Sequence, residues 1–329
     1  MKEEDVIVVG AGPCGLSAAI ALKNKGYNPL VIEKGNIVNA LYHYPTHQQF
    51  FSTSEKLAIG NIPFYSTERK PKRNEALVYY REVVKEKKLR INAYEKVNQV
   101  IKSSQKGFIV TSKTKSGVEK VFNAKYIVIA TGYYDSPNYL GIKGEDQNHV
   151  FHYFKEAHPF FDQEVAVIGG KNSAVDAALE LEKAGARVTV FYRGSEYSSS
   201  VKPWILPEFD SLIRHGKIKM YFKTNVKEIK RDSLLIEKDG LTFEAKADFV
   251  FAMTGYHPDH SFLRKMGVKV DKETGRPLFS KDTMETNVPG IYIAGVIAAG
   301  NNANEIFIEN GRLHGESIAN SVLSKESEL

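Results

Sequence analysis

Six residues near the N-terminus, Gly10-Ala11-Gly12-Pro13-Cys14-Gly15, hold two kinds of chemistry at once. The glycines match G-x-G-x-x-G. One can make a tight turn, one can let backbone approach a pyrophosphate, and one can let a helix pack against the strand before it. The thiol is the one cysteine of the chain. In the first turn of such a helix, N–H groups and the helix dipole favour a thiolate. A phosphate nearby and burial both disfavour it. Two readings stay open at this point: a small residue filling a tight corner, and a redox thiol.

Glu33 ends the apolar run Leu30 to Ile32 and stands where an acid can accept from both hydroxyls of an adenosine ribose, as FAD or NAD would present them. A second loop, Gly169-Gly170-Lys171-Asn172-Ser173-Ala174, departs from the first. Lys171 replaces the middle glycine and could itself meet a phosphate, while Ala174 still allows close packing. No acid follows the next strand; Tyr192-Arg193-Gly194 stands there. An arginine at that place suits the 2′-phosphate of NADP, and the missing carboxylate removes a repulsion. Ser195, Ser198, Ser199 and Lys202 could add contacts. One loop for FAD and one for NADPH define a reaction type: hydride passes from nicotinamide to flavin, and the flavin passes electrons on.

The elements that must position these loops can be read as a duplication. Val6 to Val9 is a strand, the glycine turn follows, then a helical pattern through Leu16, Ala19, Ile20 and Leu22, then a strand ending at Glu33. The order recurs at Val165 to Ile168, Gly169 to Ala174, Val175 to Leu181 and Val188 to Tyr192. Further strands are expected at Tyr126 to Ala130, Phe249 to Met253 and Ile291 to Ala294. Residues 94–101 and 107–112, and 218–222 with 226–229 and 233–238, read as small antiparallel strands. The expected fold is α/β: two Rossmann-like three-layer dinucleotide-binding domains, the NADPH domain inserted in the FAD domain. The boundaries are 1–135 and 262–329 for FAD and 136–261 for NADPH. The linkers Tyr134 to Tyr139 and Tyr256 to His260 each carry a proline.

Composition bounds the rest. The chain has 329 residues, 42% hydrophobic and 26% charged, enough for two cores. The net charge of +6 is spread along the chain. Basic clusters at Lys70 to Arg73 and Lys85 to Arg90 read as solvated helix faces, not as a nucleic-acid stripe. A single cysteine excludes a disulfide framework and a cysteine-rich metal site, and fits a reducing cytoplasm. The acidic start MKEEDVIVVG is no signal peptide, and no apolar run has the length of a membrane span.

The layout resembles the small two-domain flavoproteins of the thioredoxin reductase type, on GAGPCG, YIVIATG, GGKNSA and Thr286 to Gly295. Those enzymes carry Cys-x-x-Cys in the NADPH domain; here His152 to Gln163 leads to the second loop without one. The chain is more closely similar to the bacillithiol disulfide reductase family, on Tyr44-Pro45-Thr46-His47-Gln48, Ala76 to Val84, Val150 to Pro159, Lys202 to Pro207 and Ile308 to Gly315. That resemblance implies FAD and NADPH as cofactors, a small-molecule disulfide substrate and a homo-oligomer, dimer or tetramer. It places the family's lone cysteine on Cys14 and tips the thiol toward a redox role. FAD contacts then fall on Gly10, Gly12, Pro13, Gly15, Glu33 and Lys34, on Tyr44, His47 and Val97, and on Thr131, Gly132 and Gly295. NADPH contacts fall on Gly169, Gly170, Lys171, Asn172, Ser173 and Ala174, with Arg193 and Gly255. Most relatives have an aspartate after IYIAG; Val296 stands here. Asn304, opening an expected C-terminal helix from Ala303 to Leu323, is the candidate for reaching the flavin ring.

His43, His47, His152, His158 and His314 are acid–base candidates. Trp204 reads as a packing anchor. Two other classes fit the same loops. One is a ferredoxin– or flavodoxin–NADP reductase, which needs no thiol; the other is an FAD-holding redox sensor switched by Cys14.

Overall fold

The computed structural model describes residues 2–104, 106–302 and 304–327. It sorts into two units, Met1–Ser136 with Tyr256–Leu329, and Pro137–Gly255.

The first unit opens with β1 (Lys2–Val9), buried over its last four residues. A strand inside a parallel sheet is covered on both faces, so it reads as a continuous apolar run. α1 (Pro13–Asn24) begins with proline at its first position, where a missing N–H costs nothing. There follow β2 (Leu30–Ile32), α2 (Asn39–His43), α3 (Ser54–Leu57), α4 (Arg73–Glu86) and β3 (Arg90–Asn92). The hairpin β4 (Glu95–Lys102) and β5 (Phe108–Thr114) then leads to β6 (Glu119–Ile129). β3, β2, β1 and β6 are parallel neighbours in that order.

The second unit carries β7 (Val150–Phe151), β8 (Glu164–Ile168), α5 (Asn172–Lys183), β9 (Arg187–Tyr192), α6 (Leu206–Arg214) and β10 (Ile218–Phe222). An antiparallel meander of β11 (Thr224–Ile229), β12 (Ser233–Lys238) and β13 (Leu241–Lys246) precedes β14 (Phe249–Ala252). The main sheet runs β10-β9-β8-β14-β7, all parallel. Residues 218–222 were expected in the antiparallel group. Instead they extend the parallel sheet, Ile218 opposite Val188 through Phe222 opposite Tyr192. α6 supplies the crossover a parallel pairing requires, and its one fully buried residue, Phe209, joins Ile218 in the core.

The chain returns through α7 (His260–Lys265) to β15 (Ile291–Ile293), then α8 (Ile308–Gly311) and α9 (His314–Ser327). β6 divides its free edge. Its first half pairs antiparallel with β5, and Ile127 to Ile129 run parallel to β15. The single C-terminal helix expected from Ala303 does not form. Ala303 lies outside the described residues, and Asn304 sits in an exposed turn before α8. Asparagine side chains compete for the backbone there: Asn302 Oδ1 accepts from Asn304 N at 3.3 Å, and Asn310 accepts from Phe307 N at 2.7 Å while donating to Glu305 O at 3.0 Å. α9 packs on α1 where Gly315 lies so close that a β-carbon would meet Ala18 Cα at 2.8 Å.

Candidate dinucleotide loops and the Cys14 thiol

Each glycine of the first loop has a separate steric reason. Gly10 has φ +109°, and a β-carbon on it would meet Ala130 O at 2.5 Å, so the turn is pressed against the end of β6. A β-carbon on Gly15 would meet Gly10 O at 2.1 Å, which fixes how closely α1 approaches β1. Gly12, the N-cap of α1, faces open space with nothing within 4 Å, the room a pyrophosphate needs above a helix N-terminus. Pro13 follows as the first helical residue.

Glu33 is buried at the end of β2. Its carboxylate accepts from Ala11 N at 2.8 Å and from Gly35 N at 2.7 Å. Burial holds its carboxyl above the ordinary range, opposed by those two N–H groups. The acid is thus locked against the loop with lone pairs left for a ribose. Beyond β6, the Thr131 hydroxyl is buried without a hydrogen-bond partner, and Gly132 (φ +69°) has open space at its α-carbon. An orphaned hydroxyl, on a residue whose α-carbon lies 3.4 Å from a β-carbon built on Gly10, and two glycines with open space fit an adenine dinucleotide of the FAD kind.

The other first-unit residues divide. Lys34 pairs with Asp135 at 2.9 Å on the surface. Val97 is buried in β4, two residues beyond Glu95, whose N–H donates to Glu33 O at 2.9 Å. Tyr44 caps α2, its ring 5.1 Å from that of Tyr134, which is 4.7 Å from that of Tyr256. Burial, then Tyr133, Tyr256 and Cys14, push its hydroxyl well above the usual tyrosine range. His47 is exposed on the loop after α2. Asn304 is exposed in a turn and does not open the C-terminal helix expected from Ala303.

Cys14 is the second residue of α1. Its sulfur sits in a slot between two glycines. A β-carbon on Gly311 would meet Sγ at 3.0 Å, and one on Gly295 would meet it at 3.0 Å. Some surface of the residue stays accessible, yet packing around the thiol is dense, and burial pushes it up to about 12. Burial is the cause of that rise, and it acts against what the helix dipole favours. Gly295 N donates to His314 Nδ1 at 3.1 Å, so His314 accepts as a neutral ring, and burial lowers its pKa. His314 is thereby tied to the Cys14 slot through Gly295, while His43, His47 and His158 are exposed and His152 lies 3.8 Å from Glu145 in the second unit. Val296 opens a 3₁₀ turn, Val296–Ala299. Gly311 carried no signal of its own in the sequence; only the slot reveals it.

The second loop keeps part of the first loop's logic. Gly169 has φ +145°, and a β-carbon on it would meet Met253 O at 2.5 Å, as Gly10 meets Ala130. Ala174 is buried at the start of α5. Lys171 is the exposed N-cap, and Ser173 is exposed beside it. Asn172 donates to Ser200 O at 2.8 Å and accepts from Lys202 N at 2.9 Å, so its side chain ties the loop after β9 to α5. Arg193 is exposed and makes no hydrogen bond or ion pair among the described residues. Gly255 (φ +88°) ends the unit, a β-carbon there 3.4 Å from Asn138 Nδ2. Trp204 is 57% exposed under the Lys202 ammonium, 5.9 Å from its ring, and is not the packing anchor expected; Phe209 fills that part of the core. No group of three metal-ligating side chains occurs among the described residues, and no helix is long and apolar enough to cross a membrane.

The pyridine nucleotide-disulphide oxidoreductase family matches residues 7–295. The bacilliredoxin reductase Bdr of Bacillus subtilis (strain 168) is 60% identical, over 99% of this chain and all of its own length. Two solved structures are similar throughout. The bacillithiol disulfide reductase Bdr (YpdA) from Bacillus cereus has a TM-score of 0.97 at 62% identity, covering 98% of this chain and 100% of that one. The enzyme of the same name from Staphylococcus aureus has a TM-score of 0.94 at 55% identity, covering 99% and 100%.

Proposed function

This chain belongs to the pyridine nucleotide-disulphide oxidoreductase family, and we propose that it reduces the disulfide of a low-molecular-weight thiol of the bacillithiol kind, with Cys14 as its redox thiol. It is a thiol-disulfide reductase that uses FAD and NADPH. The observation that carries the finer reading is the Cys14 slot: the chain's one thiol is seated by two glycines at the mouth of the loop that suits FAD.

When bound, FAD would supply the two-electron chemistry that links a hydride from NADPH to a disulfide. The chain's own groups do the rest. Gly12 and the N–H groups of α1 would hold a pyrophosphate, Glu33 would hold a ribose, and the Thr131 hydroxyl would gain a partner. Lys171 and Arg193 supply positive charge for the phosphates of NADPH. Cys14 rests as a protonated thiol. Its sulfur bonds one sulfur of the substrate while the S–S bond breaks and the thiol proton leaves with the other sulfur, giving a mixed disulfide and one free thiol. The chain has no second cysteine to resolve it, so releasing the second thiol and restoring the Cys14 thiol takes two electrons and two protons, the reducing equivalents that FAD would supply when bound.

A second reading comes from the name of the Bacillus subtilis relative, which points to a protein disulfide, a bacilliredoxin. The deciding experiment follows NADPH oxidation by the holoenzyme with bacillithiol disulfide, bacilliredoxin carrying bacillithiol, glutathione disulfide or flavodoxin as sole acceptor. Turnover with bacillithiol disulfide alone supports the proposal. Turnover only with bacilliredoxin moves the substrate to the protein, and turnover only with flavodoxin refutes both.

A further inference from the structure

The chain carries its own comparison for the second loop. In the first unit, Val9 pairs with Ile32 and Gly10 N donates to Ile32 O at 2.9 Å. In the second, Ile168 pairs with Phe191 and Gly169 N donates to Phe191 O at 3.0 Å. Register therefore sets Tyr192 against Glu33 and Gly170 against Ala11. The Ala11 N–H is answered by the Glu33 carboxylate. The Gly170 N–H, buried at the matching place, has no acceptor among the described residues.

The Tyr192 ring takes the acid's place. Its near end lies on Gly170, where a β-carbon would meet Cγ at 2.4 Å; its far end lies on Gly194, where one would meet Cε1 at 2.4 Å and the hydroxyl at 3.0 Å. Neither glycine has a left-handed φ, so what each supplies is room for the ring. The backbone around it is pinned: Tyr192 pairs with Phe222, and Gly194 O accepts from Lys223 N at 2.9 Å. Arg193 is held between these two fixed residues and points no charge partner at itself.

We propose that the Tyr192 ring, clamped between Gly170 and Gly194, is a specificity-determining element that makes the second loop choose a ribose 2′-phosphate over a 2′-hydroxyl. In the first loop the protein supplies the anion, Glu33; in the second the ligand supplies it. The ring excludes a carboxylate, leaves the Gly170 N–H for a phosphate oxygen, and presents Arg193 as counter-charge. This rests on the second loop being the NADPH site, and the experiment separates the two ideas.

Binding of 2′,5′-ADP and of 5′-ADP to the holoenzyme is measured by titration calorimetry, with FAD content and thermal unfolding monitoring the fold. Wild type should prefer 2′,5′-ADP, and Arg193→Ala should lose about tenfold of that preference. No preference in wild type refutes the NADPH reading itself, and none lost in Arg193→Ala removes Arg193 as the counter-charge and overturns the proposal while leaving the NADPH reading intact. Given that preference, Tyr192→Glu should weaken 2′,5′-ADP by at least about thirtyfold through like-charge repulsion, with 5′-ADP held or improved. Gly194→Ala, which displaces the ring, should cost about tenfold on 2′,5′-ADP alone. Tyr192→Phe, which keeps the ring, should restore the discrimination. If Tyr192→Glu does not fold, Tyr192→Ala replaces it, with loss of preference expected. Preference for the 2′-phosphate unchanged in Gly194→Ala and in the Glu or Ala variant overturns the clamp while leaving the NADPH reading intact.

Discussion

The sulfur of Cys14 lies only 3.0 Å from where a β-carbon on Gly311 would stand. A residue of α8 thereby sets the room available to a residue of α1, across nearly the whole length of the chain. Gly311→Ala should destabilise the protein by about 1–3 kcal/mol, as overpacking does. Adding Cys14→Ala, which removes the sulfur, should recover part of that loss. Thermal unfolding of the two single variants and the double variant checks the coupling; strict additivity would contradict it.

The thiol is pushed up to about 12 by burial, and a bound pyrophosphate adds to the push. Alkylation by iodoacetamide reports Cys14 without ambiguity, since no other cysteine exists. The rate should climb about tenfold per pH unit from pH 7 upward with no plateau below pH 10, because only the thiolate reacts. A plateau near neutrality would show a low-pKa thiol and contradict this environment.

Glu33 accepts two backbone N–H groups with its two oxygens. Glu33→Gln turns one oxygen into an NH₂ group facing a donor. The loss should be about 1–3 kcal/mol, the cost of a buried polar group left without its partner, together with looser FAD retention on gel filtration. Full FAD content and unchanged unfolding would remove Glu33 from the site.

His314 accepts from Gly295 N as a neutral ring, and burial lowers its pKa. A base with a folded pKa below its ordinary value of 6.5 contributes stability above pH 6.5 that is lost as pH falls through the folded pKa. The melting temperature should therefore drop as pH falls below 6.5. The drop should shrink in His314→Asn, which can still accept but does not titrate.

Local pattern made much of this legible. Glycine spacing, the strand before and the acid after are all short-range, so the first loop and Glu33 could be read without coordinates. The inserted second unit followed from finding the same order twice. What escaped depends on distant partners. The break between α8 and α9 brings Gly311 against Cys14 and His314 against Gly295, and the one helix expected from Ala303 to Leu323 runs across it. Residues 218–222 alternate like any strand, and only the crossover through α6 makes them parallel. Trp204 is large and apolar, which favours burial, but the nearby Phe209 occupies the core. The Tyr192 clamp needs the register of two sheets, which no single sequence displays.

The central claim is that electrons from NADPH reach a disulfide through Cys14. The most direct measurement is made on Cys14→Ala holoenzyme under anaerobic conditions, comparing bleaching of the yellow flavin absorbance by NADPH with turnover of bacillithiol disulfide. The account predicts that bleaching survives and disulfide turnover is lost. Turnover equal to that of the unmodified enzyme would contradict it.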